Sequence, residues 1–161
     1  MTETLDLPGT EWRGVSPKYI VVDMIGNLIF AIIIVVAAST PAFFSGIAWF
    51  WWLPAVLGAI FLIGIALTPR RVRAIGYQFR ADDLVFRRGL MFRRVVAVPY
   101  GRMQLVDINR GPIARALGLS ELKLVTAAAA TAVSIPGLPE SDAEELRDKL
   151  VELAESRRAG L

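Results

Sequence analysis

Side chains able to do chemistry are few in this chain, and arginine dominates them. Across 161 residues there is no Cys and no His. Thiol and Ser-His-type nucleophilic catalysis, a disulfide framework and the usual Cys/His zinc sites are thereby removed. The carboxylates Asp82, Asp83 and Asp107 are scattered. They are expected to be exposed, and they come without a base, a metal-ligand set or a Gly-rich phosphate loop. No enzymatic activity, cofactor, metal or small-molecule substrate is expected.

One segment does concentrate chemistry. Arg87-Arg88-Gly89-Leu90-Met91-Phe92-Arg93-Arg94 places paired arginines on either side of an apolar tip. Guanidinium groups suit phosphates, and a wedge of Leu90, Met91 and Phe92 suits an acyl boundary, so the segment predicts a membrane-surface or lipid-headgroup contact. Arg70, Arg71 and Arg73 extend the same basic region. The competing reading makes Met91 and Phe92 core residues of a sheet and the arginines their solvated neighbours. Residues 70–110 hold ten arginines against three acids. The net +3 of the whole chain therefore conceals a cationic band and an acidic remainder.

A second polar pair sits inside an apolar run. Asp23 and Asn27, four residues apart, share one helix face. They read either as interfacial residues with access to water or to Arg70, Arg71 or Arg73, or as a polar contact with a partner's transmembrane helix.

The elements that position these groups begin with a polar segment, residues 1–18, broken by Pro8-Gly9 and Pro17 and read as a cytosolic tail. Residues 19–68 read as a transmembrane helical hairpin, with spans at about 19–38 and 45–67. The break falls at Ser39-Thr40-Pro41-Ala42, and Pro54 is expected to kink the second span. Trp49, Trp51 and Trp52 suit the membrane interface. The connection between the spans is uncharged, whereas Arg13 and Lys18 precede the first and Arg70, Arg71 and Arg73 follow the second. The positive-inside rule then places both termini in the cytosol.

From residue 69 to 161 the pattern changes to a cytosolic domain of short β-type runs. Candidate strands are Val72–Phe79, Leu84–Arg88, Phe92–Val98, Met103–Ile108, Glu121–Val125 and Thr131–Ile135. A short helix is predicted over Pro112–Leu117, stopped by Gly118, and a closing amphipathic helix over Ser141–Arg157, with Ser141 and Glu144 as a capping box. Because the first strand follows the second span without a linker, simple antiparallel pairing returns the Gly89-Leu90-Met91 turn to headgroup level. The same parity brings Arg110 and Arg115 to that side and leaves Asp82 and Asp83 remote.

The succession Tyr77-x-Phe79, Asp82-Asp83-Leu84, Arg87-Arg88-Gly89, Val98-Pro99-Tyr100-x-Arg102, Arg115-x-Leu117-Gly118-Leu119 and Leu122-x-Leu124 resembles the bacterial pleckstrin-homology (PH) domain family. Two membrane helices followed by one such domain is similar to the small YdbS-like membrane proteins. The resemblance implies a membrane-anchored α+β chain, with a PH-like bent antiparallel sheet or barrel and a C-terminal capping helix. It also implies a partner, a larger membrane protein carrying several PH-like domains, with self-association as the other possibility. Six candidate strands fall short of the seven of a PH fold. Either a bend in the first long strand hides one, or another chain completes the sheet edge.

The leading expectation is a non-enzymatic subunit or scaffold of a complex in the bacterial plasma membrane. The second is an anionic-lipid-binding or envelope-stress module acting through the arginine-flanked hairpin. Nucleic acid is not an expected partner, because no RNA- or DNA-binding motif accompanies the arginines.

Overall fold

The computed structural model describes residues 12–90, 92–126 and 133–159. The chain divides into two compact units, residues 20–70 and a second formed by the segment up to Tyr19 together with the chain from Arg71 onward.

The first unit is apolar. Helix α1 spans Tyr19–Ser45, and after a 3-10 turn at Ala48–Trp51 helix α2 spans Trp52–Arg73. Both are long and apolar enough to cross a bilayer, and only about 6% of each apolar window is buried. A soluble core would hide such helices, whereas lipid-facing helices keep their apolar side chains open. Phe30 and Phe61 meet edge to face at 5.8 Å between centroids.

Helix α1 runs past its expected end at Ala38, straight through Pro41. A proline frees the carbonyl four residues before it, here that of Ala37. The Thr40 hydroxyl donates to that carbonyl at 2.8 Å, and the Ser39 hydroxyl donates to Val35 at 2.7 Å. Side-chain donors thus repair what the ring removes, as apolar surroundings require. Gly46, at φ +64°, turns the chain after the helix. Pro54 does not interrupt α2: it stands in the first turn, where a missing N–H has no intrahelical partner to lose.

Helix α2 continues to Arg73, so the first long strand begins at Gly76 rather than Val72. Val72 and Ile75 are buried while Arg71 and Arg73 are exposed, a spacing of three that belongs to a helical turn.

Among the described residues the second unit has seven strands and a PH-like fold of two antiparallel sheets, without a closed barrel. One sheet runs β1 (Arg13–Gly14), β2 (Gly76–Phe79), β3 (Asp83–Arg88) and β4 (Arg94–Pro99). The other runs β5 (Met103–Asn109), β6 (Leu119–Thr126) and β7 (Val133–Pro139). The missing strand is β1, from the segment expected to be a tail, and it pairs as Arg13↔Tyr77 and Gly14↔Gly76. Neither a bent first strand nor a second chain is needed to reach seven. The expected break at Ala127–Ala130 and the start of the last strand at Thr131 lie outside the described residues.

Two contacts fix the N-terminal segment. Ser16 N–H donates to the Gly137 carbonyl at 2.9 Å, and Val15 and Tyr19 pack on the core. Gly137 has φ +68°, and a Cβ there would lie 2.4 Å from the Tyr19 Cβ, so any larger residue would push Tyr19 away.

Helix α3 (Pro112–Ala116) starts on proline and is followed by Gly118 at φ +68°. Helix α4 (Glu140–Ala159) lays Ala143, Leu146, Leu150 and Ala154 on the core at helical spacing, against residues such as Tyr77, Leu122 and Ile135. Burial of each leucine contributes about 1.5–3 kcal/mol. The expected Ser141–Glu144 capping box is not formed. Ser141 donates to Asp142, while the Glu144 carboxylate takes Arg110 at 3.1 Å and Glu140 takes the same guanidinium.

The corner between β2 and β3 is closed by Tyr100, in the 3-10 turn after β4 and fully buried. Its hydroxyl donates to the Arg80 carbonyl at 3.0 Å, its N–H donates to the Asp82 carbonyl at 3.1 Å, and the Arg80 N–H donates to the Asp83 carbonyl at 2.9 Å. Burial, helped by the nearby Asp83 charge, pushes the phenol up to about 12.

Candidate membrane-surface site

Strands β3 and β4 pair as Phe86↔Val96, Arg87↔Val95 and Arg88↔Arg94. The register carries the basic residues to the tip of the hairpin. Gly89, at φ +115°, makes the reversal, and a Cβ there would sit 2.0 Å from the Phe92 carbonyl oxygen. Only glycine fits that position.

Beyond the last pair the tip is open. Phe92 is 88% exposed and Leu90 42%. The strand starts at Arg94, not Phe92, so Phe92 belongs to the turn and its reading as a core residue fails. Met91 lies outside the described residues. Arg87, Arg88, Arg93 and Arg94 are all exposed.

Strand alternation separates the arginines by face. Arg88 and Arg94 share their face with Phe86 and Val96, which pack in or against the core. Arg87 points to the other face, where its guanidinium lies over the Trp12 ring at 4.2 Å from the centroid. Gly76 makes room for this stack, since a Cβ there would approach the Arg87 Nε to 3.2 Å. Arg13, in β1, lies 6.0 Å from the Phe79 centroid, with Lys149 of α4 at 4.9 Å from the same centroid. The Trp12–Arg87 contact escaped sequence reading, because a lone tryptophan in a polar segment has no periodicity to place it.

Gly14, Gly76 and Arg87 stand side by side on successive strands. The chain therefore leaves β1 for α1, and enters β2 from α2, at the sheet end that carries the arginine hairpin. Arg70, Arg71 and Arg73 are exposed on the last turns of α2. Arg110 is not a spare cation, because Glu140 and Glu144 share it. Arg115 is exposed on α3.

Within the apolar unit, the Asn27 amide donates to the Asp23 carbonyl at 2.8 Å and to its carboxylate at 3.2 Å. The two half-buried residues thus satisfy each other in part. Trp49, Trp51 and Trp52 are exposed, in and just after the 3-10 turn between the helices. Among the described residues, no group of three or more Asp or Glu is gathered to hold a metal ion.

Two apolar helices leaving from between the first two strands of a PH-like sheet define a membrane-anchored PH-type protein. The chain belongs to the bacterial PH domain family, whose model matches residues 18–154. It is 32% identical over 128 residues to the transmembrane protein YdbS of Bacillus subtilis, an alignment covering 76% of this chain and 78% of that one. No solved structure matches it. The family match begins after β1.

Proposed function

We propose that this chain is a non-enzymatic membrane module whose β3–β4 hairpin docks on the anionic cytosolic leaflet of the bacterial plasma membrane, with both termini in the cytosol. The observation that carries the reading is Phe92, 88% exposed between Arg88 and Arg94. A ring so open has no role in the core, and its flanking cations favour an anionic surface. Each arginine contributes about 1 kcal/mol near such a leaflet. Full insertion of the phenyl ring contributes about 1.5–3 kcal/mol.

A second reading, a subunit or scaffold of a membrane complex, is favoured by Asp23 and Asn27. A carboxylate in an apolar helix is costly, although less so near the helix start where Asp23 stands than at the midplane, and Asn27 engages only one of its oxygens. A partner's helix donating to the other oxygen would offset that cost, supplied by a larger membrane protein with several PH-like domains or by a second copy of this chain. The strand β1 at the edge of the first sheet supplies from this chain the strand that assembly with a second chain was expected to supply. The folded cytosolic domain on this proposal includes residues 12–19 as well as the chain after Arg71.

The chain has no Cys, so Phe92→Cys and Ala81→Cys each accept a single environment-sensitive fluorophore. In vesicles containing phosphatidylglycerol, a probe at 92 is expected to shift to the blue and a probe at 81, at the opposite sheet end, to stay in a polar environment. The shift should shrink in pure phosphatidylcholine and at high salt. Identical spectra at the two positions in anionic vesicles would refute the docking.

A further inference from the structure

Arg88 and Arg94 are directly opposed in the β3–β4 register. Like charges facing each other across a strand pair destabilise a sheet. Several other arginines of the domain have partners: Arg87 stacks on Trp12, Arg110 holds Glu140 and Glu144, and Arg147 holds Asp148. No ion pair found among the described residues includes Arg88 or Arg94.

Arg88 and Arg94 both line a cleft of about 360 Å³, with Phe86, Phe92, Val96 and Val133 among its walls. Ser134 also borders it, but donates its hydroxyl to Glu121. The cleft thus offers two cations at one place and mostly apolar surface beside them. A phosphate group presents oxygens to two guanidinium forks at once and cancels their mutual repulsion. Apolar walls suit a ligand whose phosphate is attached to a hydrocarbon body, and they give little to a polyhydroxylated one.

We infer that Arg88 and Arg94 together bridge one phosphate group in this cleft, and that the apolar walls hold the acyl-bearing part of a phospholipid. The inference rests on the proposed leaflet docking of the same hairpin, which it sharpens from a diffuse cationic field to a one-to-one site.

Native mass spectrometry of the full chain released from detergent, titrated separately with phosphatidylglycerol and with inorganic phosphate, tests it. One phosphatidylglycerol per chain is expected, with affinity falling at least tenfold in Arg88→Gln and in Arg94→Gln, and in Arg93→Gln by no more than the about fivefold of a diffuse cationic contact. Thermal melting supplies an independent sign. Without lipid, Arg88→Gln should melt above the wild type because the repulsion is gone, and added phosphatidylglycerol should no longer raise its midpoint. Binding of inorganic phosphate with the same arginine dependence would keep the bridge and make free phosphate its source. Equal losses in Arg88→Gln and Arg93→Gln would overturn the bridge while leaving diffuse docking intact. Absence of both ligands on the wild type would overturn it outright. A probe at residue 92 that never meets the leaflet, beside arginine-dependent binding of one phosphate, would refute the docking and leave the bridge standing.

Discussion

The two ends of the β3–β4 hairpin meet opposite demands. Where β3 begins and β4 ends, Tyr100 is fully buried and ties the backbone of Arg80 and Asp82 together. Where β3 ends and β4 begins, Arg88 faces Arg94 and Phe92 stands in the open. Groups at the first end complete one another, so that end stabilises the fold. Groups at the second end are left open to solvent, and the proposed docking gives that openness its purpose. An exposed aromatic or an exposed cation is unremarkable alone, but both on one turn, opposite the corner that Tyr100 closes, are what the proposed leaflet contact rests on.

The sharpest way to break this contrast is to remove the closed end. Tyr100→Ala should cost about 3–5 kcal/mol of unfolding free energy, as truncation of a buried aromatic does. The Arg80 carbonyl would also lose its hydroxyl donor. Chemical denaturation in detergent measures the loss. At a temperature where the variant remains folded, the leaflet contact read at residue 92 should be unchanged. A stability loss below about 1 kcal/mol would show that the corner is not the structural end.

An intermediate effect is expected where the two roles overlap. Trp12→Leu keeps an apolar side chain but removes the ring beneath Arg87, and should lower stability by about 1 kcal/mol. Trp12→Phe should recover part of the loss, because the phenyl face still attracts the cation. Equal losses in both variants would mean that the ring acts through packing alone. Thermal unfolding of the three proteins decides it.

Much of this was legible in the sequence because it rests on local pattern. The apolar runs announced both long apolar helices, and alternation placed β3 and β5 within a residue or so of their observed bounds. Pro112 and Gly118 bracketed α3. Elements decided by tertiary contact were not legible. β1 is two residues long and exists because β2 offers it an edge, which no propensity reports. Pro41 looked like a helix stop because sequence alone does not reveal that Thr40 will bond the freed carbonyl of Ala37. Arg110 counts in the sequence as part of the cationic band on the membrane side, although Glu140 and Glu144 claim it from thirty or more positions away in the chain. At the tip, the residue types gave the chemistry. The opposition of Arg88 and Arg94, and the exposure of Phe92, came from register and turn geometry.

The smallest expected effect on stability is also the most discriminating. Phe92→Ser in a core position would cost several kcal/mol. At a residue 88% exposed it should change unfolding free energy by no more than about 0.5 kcal/mol in either direction. Contact with the leaflet should nevertheless weaken, because the ring's contribution of about 1.5–3 kcal/mol is lost while the arginines remain. A fluorophore at Leu90→Cys reads this as a smaller blue shift in phosphatidylglycerol vesicles, with greater sensitivity to salt, since the remaining attraction is electrostatic and screened. A stability loss like that of Tyr100→Ala would return Phe92 to the core and erase the difference between the two ends. Unchanged stability with unchanged leaflet contact would leave the difference in structure and remove its proposed purpose, because the exposed ring of Phe92 would then be doing nothing at the membrane.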